Sequence, residues 1–417
     1  MRILMLTWEY PPRIVGGIAR HVEEISWALA ADPTLEVHVV TCDFPGAPAE
    51  EVVRGVHIHR VAPYDAPGGH ADFFHWLHQL NAAMRDRAWA LCHDWLGRKK
   101  GRAPIDPKSL GEGEAVLLHA HDWVASFAAV ELKHAFKLPL VGTIHATEFG
   151  RNQGIHTDTN HYINDTEVWL TTEAWRVIVC AEFMRREVEF ALNCPGDKID
   201  VIPNGIHAEK FHFPFSAAEA ADFRLRFAAP DEKLVLFVGR GVREKGAQIL
   251  VEAMPQIRSA SGGVKLVIAG GGHRQHLVDL AHSIGVGGNV FCTGFISDDA
   301  LLRLYRVADV ACFPSLYEPF GIVALEAMAA GTPVVVSDAG GLPEVVEHDL
   351  SGTVTWANNP ESLAWGVTRV LQDRATALRL AKRARKRVDS HFSWTHIAAD
   401  TLRVYNRVWN EYRESSW

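Results

Sequence analysis

One pattern repeats along this chain: a short unbroken apolar run, a turn, then a segment with apolar residues at helical spacing. Arg2–Trp8 ("RILMLTW") reads as a strand, followed by a helix with Ile18, Val22, Ile25 and Leu29 on one face. Further strands are expected at Glu36–Cys42, Val56–Val61, Ala115–Ala120, Leu140–His145, Val177–Cys180 and Asp200–Ile202. Continuous rather than alternating hydrophobicity belongs to parallel strands covered on both faces. The stretch "VIPNGIHAEKFHFPF" (Val201–Phe215) loses the period among turn residues. The pattern then restarts at Leu234–Val238, Lys265–Ala269, Asn289–Cys292, Val310–Phe313, Val334–Ser337 and Thr353–Thr355. The expectation is an α/β chain of two Rossmann-like, doubly wound domains, 1–205 and 206–394, facing a central cleft. Ligands belong at the carboxyl ends of such strands. A length of 417 residues, more than one core usually supports, agrees with two domains.

Two regions depart from the rhythm. Residues 62–113 hold a Gly/Pro loop, a helical stretch rich in tryptophan and histidine, and the basic turn "GRKKGRAP". A recognition insert and a plain structural elaboration are equally good readings of it. From Asp373 onward the helices are long and charged and read as solvated, and 395–417 is taken as a helix returning toward the N-terminal domain.

Composition narrows the function. A net charge of −8 gives no reason to expect nucleic acid or an acidic membrane as partner. The six cysteines are scattered without a Cys-x-x-Cys pair, which suits free thiols in a reducing compartment. No run approaches the roughly 18 apolar residues of a membrane span, and "MRILMLTW" is too short for a signal peptide. A cytoplasmic location is the expectation.

Four groups carry chemistry. Gly16 and Gly17 follow a strand and open a helix, where backbone N–H groups favour an anion. Arg240 and Lys245, in "LFVGRGVREKGAQIL", lie just past a buried strand, placed to neutralise a diphosphate that gains charge as a bond to it breaks. In "YEPFGIVALEAMAAG", Glu318 and Glu326 stand in an otherwise apolar segment read as a helix. Eight helical residues rise ~12 Å with an offset of about 80°, which excludes an acid dyad and suits two ends of one extended ligand. A nucleotide sugar has that form, and the amides near Phe320, Gly321 and Ile322 would meet its hexose or phosphate. Finally, His121, Asp122 and Trp123 follow one strand, and His145, Thr147 and Glu148 the next. A His-x-His pair suggests metal, yet no third ligand stands nearby in sequence and there is no Asp-x-Asp, so hydrogen bonding is favoured and no metal is expected.

Together these motifs, with "HAHDW", "TIHATEFGRNQG", "IPNGI" and "AGGLPEVV", resemble the retaining glycosyltransferases of the GT-B fold, in the GT4 family, on the branch of glycogen and starch synthases. The likeness runs in order over nearly the whole chain. It implies that Glu318 holds donor hexose hydroxyls and Glu326 the ribose hydroxyls. Arg240 and Lys245 would bind the diphosphate, with Gly17 and the amides around Gly321 helping. Thr293, Phe295, Ile296 and the Gly270–Gly272 turn would receive the base. His145 would lie at the reacting sugar, with Asp122 near the acceptor hydroxyl and Trp123 and Glu148 on the acceptor side, while Asn204 would be structural. Gly241 stands where the family usually has a larger apolar residue.

The resulting expectation is a metal-independent, retaining transferase with no cofactor. It would move glucose from UDP- or ADP-glucose to an acceptor hydroxyl, the 4-OH end of an α-glucan. The resemblance suggests front-face attack, with the departing phosphate helping to remove the acceptor proton. Trp8, Trp76, Trp123, Trp169 and Trp175 are candidate stacking rings for an acceptor, although core packing is the commoner fate. Alternatives are a transferase of the same family using mannose, or a lipid or small-molecule acceptor, an epimerase of the same fold, and a non-catalytic binding module.

Overall fold

The computed structural model describes residues 1–65, 69–97 and 106–417. The basic turn at 98–104 therefore lies outside the described residues. The chain divides into two compact units, Met1–Pro203 with Trp394–Trp417, and Asn204–Ser393.

The first unit is built on an eight-stranded sheet in the order Glu50–Val53, Val56–Val61, Glu36–Cys42, Arg2–Leu6, Val116–His121, Leu140–Ile144, Arg176–Val179 and Ile199–Val201. All neighbours are parallel except the first pair. The sequence reading located every strand but Glu50–Val53. That strand carries two glutamates on an exposed antiparallel edge, so it has no apolar run to announce it. In the 62–113 region a helix, Phe73–Trp95, is capped by the Asp72 carboxylate accepting from the His75 N–H. Its aromatic start interlocks with Trp8 and Trp123 at ring distances of 6.1–6.5 Å. These tryptophans pack on protein, as do Trp169 on Phe127 and Trp175 on Tyr412.

The helix Trp394–Glu414 corrects a second expectation. Although charged overall, it buries Trp394, Ile397, Val404, Tyr405, Val408, Trp409 and Tyr412 along one stripe. The Tyr405 hydroxyl meets His119 Nδ1 at 2.6 Å, and the Tyr412 hydroxyl donates to the Lys137 carbonyl. An aromatic stripe of this size anchors the helix to the first unit, so it is not a solvated helix.

The second unit has a six-stranded, wholly parallel sheet in the order Val290–Gly294, Val264–Ala269, Lys233–Val238, Val310–Phe313, Val334–Ser337 and Thr353–Thr355. Its core is apolar: Val235, Phe237, Leu250, Met254, Leu266, Ile268 and Val367 are all 0–1% exposed. In each sheet the strand order reverses beside the unit's first strand, at Arg2–Leu6 and at Lys233–Val238. Crevices at the carboxyl ends of such switch points are where open α/β sheets bind ligands.

Candidate active site

At the switch point of the second unit, two loops remote in sequence meet. The loop after Lys233–Val238 carries Arg240 and Lys245; the loop after Val310–Phe313 carries Glu318. The Glu244 carbonyl accepts from the Leu316 N–H at 2.7 Å and the Tyr317 N–H at 3.3 Å, tying the loops together. Lys245 Nζ then donates to Glu318 Oε2 at 2.8 Å, and Ser315 Oγ donates to the same oxygen at 3.3 Å. Glu318 is 8% exposed, so this pairing is what makes its charge tolerable.

The helix begins at Ile322, after Gly321 at φ +110°. Glu318 thus sits on the preceding loop, and its separation from Glu326 is not the helical rise expected from sequence. The left-handed backbone of Gly321 is what ends the loop. A third segment fixes Glu318 from behind. The Gly341 N–H donates to the Glu318 carbonyl at 2.9 Å, and a Cβ on Gly340, at φ +62°, would come within 1.9 Å of that oxygen. The "AGGLPEVV" motif is thereby explained as a clamp on the backbone of Glu318.

Glu326, inside the helix Ile322–Ala330, accepts from the Tyr305 hydroxyl at 2.8 Å, and burial with this carboxylate raises the Tyr305 phenol well above its usual range. Arg240 reaches Glu244 Oε1 at 3.2 Å with its side chain largely exposed. The Gly270 N–H donates to the Gly294 carbonyl at 3.0 Å, which joins the glycine turn to the strand end bearing Thr293. Phe295 is 86% exposed, whereas the Phe320 ring is buried 6.0 Å from Phe392, leaving only its backbone for a ligand. The Gly241 N–H donates to the Gly271 carbonyl at 2.9 Å, and a Cβ there would lie 2.7 Å from the His273 carbonyl. The departure at Gly241 is therefore matched by close packing of these two loops. Arg274, absent from the sequence reading, donates to the Gly270 carbonyl at 3.1 Å beside the same strand end.

At the switch point of the first unit, the helix Gly17–Ala30 starts at the paired glycines, but Glu9 Oε2 already accepts from the Val15 and Gly16 N–H groups at 2.5 and 2.8 Å. The anion at this helix start is the protein's own carboxylate, so the Gly16 amide is occupied. Burial raises the Glu9 carboxyl above its usual range. Sequence reading missed Glu9 because it precedes the glycines by seven residues on an irregular loop.

The strand ends Val116–His121 and Leu140–Ile144 place His121 Nδ1 and His145 Nε2 at 3.2 Å. Burial drives both imidazoles well below their usual range, so both are neutral near pH 7. A third ring, His21 from the first helix, lies edge-on to His145 at 4.8 Å. One nitrogen from each of the three falls within 4.8 Å of the others. The third metal-type ligand not found nearby in sequence thus arrives through the fold, four residues past the glycines.

Asp122 has φ +66°, a strained value for a non-glycine residue, and Oδ1 is buried without a partner. Burial pushes its carboxyl up to about 6, against the pull of Arg151, whose nitrogen is 3.6 Å from Oδ2. Behind it, Glu167 is fully buried and pushed up to about 9, chiefly by burial and then by Asp122. It accepts from the Glu148 N–H at 2.9 Å, and Glu148 Oε1 accepts from Asn160 Nδ2 at 2.6 Å. The Trp123 ring, 5% exposed between Phe73 and Phe74, packs in the core.

Two Rossmann-like α/β units, each offering polar side chains at its switch point, make up the architecture of the GT-B fold. Comparisons with known proteins agree. Residues 15–210 match the family described as Glycosyltransferase Family 4, and residues 220–387 match Glycosyl transferases group 1. The chain is 40% identical to an uncharacterized glycosyltransferase of Methanocaldococcus jannaschii, covering 97% of this chain and 98% of that one. It is 36% identical to a glycogen synthase of Mycobacterium tuberculosis, covering 97% and 94%. A solved sucrose-phosphate synthase from Thermosynechococcus elongatus superposes with a TM-score of 0.80 at 26% identity, covering 98% and 99%. The chain belongs to glycosyltransferase family 4 and is an enzyme related to the glycogen and starch synthases. Among the described residues no helix is long and apolar enough to cross a membrane.

Proposed function

We propose that this enzyme transfers glucose, with retention and without a metal, from UDP- or ADP-glucose to the 4-OH end of an α-1,4-glucan. The observation that carries the reading is the Lys245–Glu318 pair, held by three loops at a switch point. A cation there neutralises the leaving diphosphate, with Arg240 reinforcing it, while the carboxylate beside it accepts from donor hexose hydroxyls. Glu326 accepts from the ribose, and the Thr293–Ile296 strand end and Gly270 turn receive the base. The amides of Phe320, Gly321 and Ile322 face the hexose and phosphate. His145 stands at the reacting sugar, and Asp122, Glu148 and their neighbours on the acceptor side. The identity to a glycogen synthase favours a glucan acceptor.

The test is a panel of UDP-, ADP- and GDP-linked glucose and mannose against maltooligosaccharides, glycogen and simple acceptors, following nucleotide release. Glucan-dependent release from a glucose donor, unchanged by chelator, is expected. Transfer of mannose alone, or loss of turnover on chelation, overturns the reading.

A further inference from the structure

His21, His121 and His145 reach one point from a helix and from two strand ends, although 100 residues separate the first from the second. We infer that these three imidazoles form a binding site for a borderline-soft divalent cation of the zinc type, and that loading it stops sugar transfer by holding His145. Binding rests on geometry alone; the inhibitory half rests on the role proposed above for His145.

Zinc takes imidazole nitrogens at about 2.0–2.1 Å in tetrahedral arrangement, which sets two such nitrogens roughly 3.3 Å apart. His121 Nδ1 and His145 Nε2 are 3.2 Å apart, so an ion replaces the hydrogen bond between them with little movement. Where His121 Nδ1 is the donor of that bond, its ring takes the Nε2–H tautomer on binding the ion, and no other hydrogen bond at Nε2 has to break. His21 supplies the third nitrogen within 4.8 Å. Three protein ligands leave the fourth position open. Arg151 acts on His145 and disfavours a dication.

A second triad, Glu36, His38 and His57, also brings one ligand atom from each residue within 4.8 Å of the others. It is the weaker site. Both ring nitrogens of His38 are engaged, Nδ1 with His59 Nε2 and Nε2 with Glu36 Oε1, each at 3.0 Å.

The experiment is titration of the full chain with Co2+, read by visible d–d absorption. A tetrahedral-type band saturating at one equivalent is expected, lost in His21→Gln and His121→Gln and kept in His57→Gln. Anomalous diffraction at the zinc edge from a soaked wild-type crystal needs no variant and is expected to peak among the three rings. Absence of a band, its survival in His21→Gln, or a peak at the His38 cluster overturns the site. In the transfer assay, saturating Zn2+ is expected to lower the rate more than tenfold, with recovery on adding chelator. Binding without inhibition overturns the inhibitory half alone. An enzyme that transfers nothing with any donor refutes the proposed function and leaves the spectral test of the site intact.

Discussion

Lys245→Met removes the ammonium 2.8 Å from Glu318 and keeps most of the apolar stem. The two side chains are 23% and 10% exposed, so the pair is largely, not wholly, out of water. Breaking a fully buried pair costs about 3–5 kcal/mol and an exposed one below about 1 kcal/mol. The lysine's partial exposure places the stability loss at about 2–3 kcal/mol. Turnover suffers separately. Loss of one group that stabilises developing charge costs about 3–4 kcal/mol, which is about 10²–10³ in rate. Adding Glu318→Gln removes the stranded carboxylate, so stability returns in the double variant while activity stays low. Urea denaturation gives the first quantity and steady-state nucleotide release the second. A single variant with kcat/KM close to wild type, or a double variant no more stable than the single, refutes the reasoning.

Glu326→Ala is expected to raise the donor KM roughly tenfold or more with a smaller effect on kcat, because a ribose contact binds ground and transition states alike; steady-state kinetics against donor checks it. Glu167 has a folded pKa raised to about 9, so the folded chain holds a proton that the unfolded chain releases above about 4.5, and stability falls as pH rises through that window. Glu167→Gln is therefore expected to melt higher than wild type at pH 8 and equally at pH 4. Tyr405→Phe leaves His119, 2% exposed, without its 2.6 Å partner and is expected to cost about 1–3 kcal/mol in urea denaturation.

Much of this fold was readable because parallel strands buried on both faces are written as apolar runs. Glu50–Val53 escaped since an exposed edge needs no such run. The Lys245–Glu318 contact joins residues 73 apart, and only the motif order suggested it. His21, Glu9, Tyr305 and Glu167 were invisible for a common reason. Each is a polar residue whose meaning comes from a partner on another segment, and periodicity reports only the residue's own face. The helix Trp394–Glu414 misled through its charge count, because its aromatic stripe, not its net composition, decides where it packs.

The central claim is tested most directly by NMR of the product formed from an α-linked glucose donor and a maltooligosaccharide. One new α-1,4 linkage at the non-reducing end, formed equally well with chelator present, is the predicted result. A β linkage, or a linkage to any other position, contradicts the account.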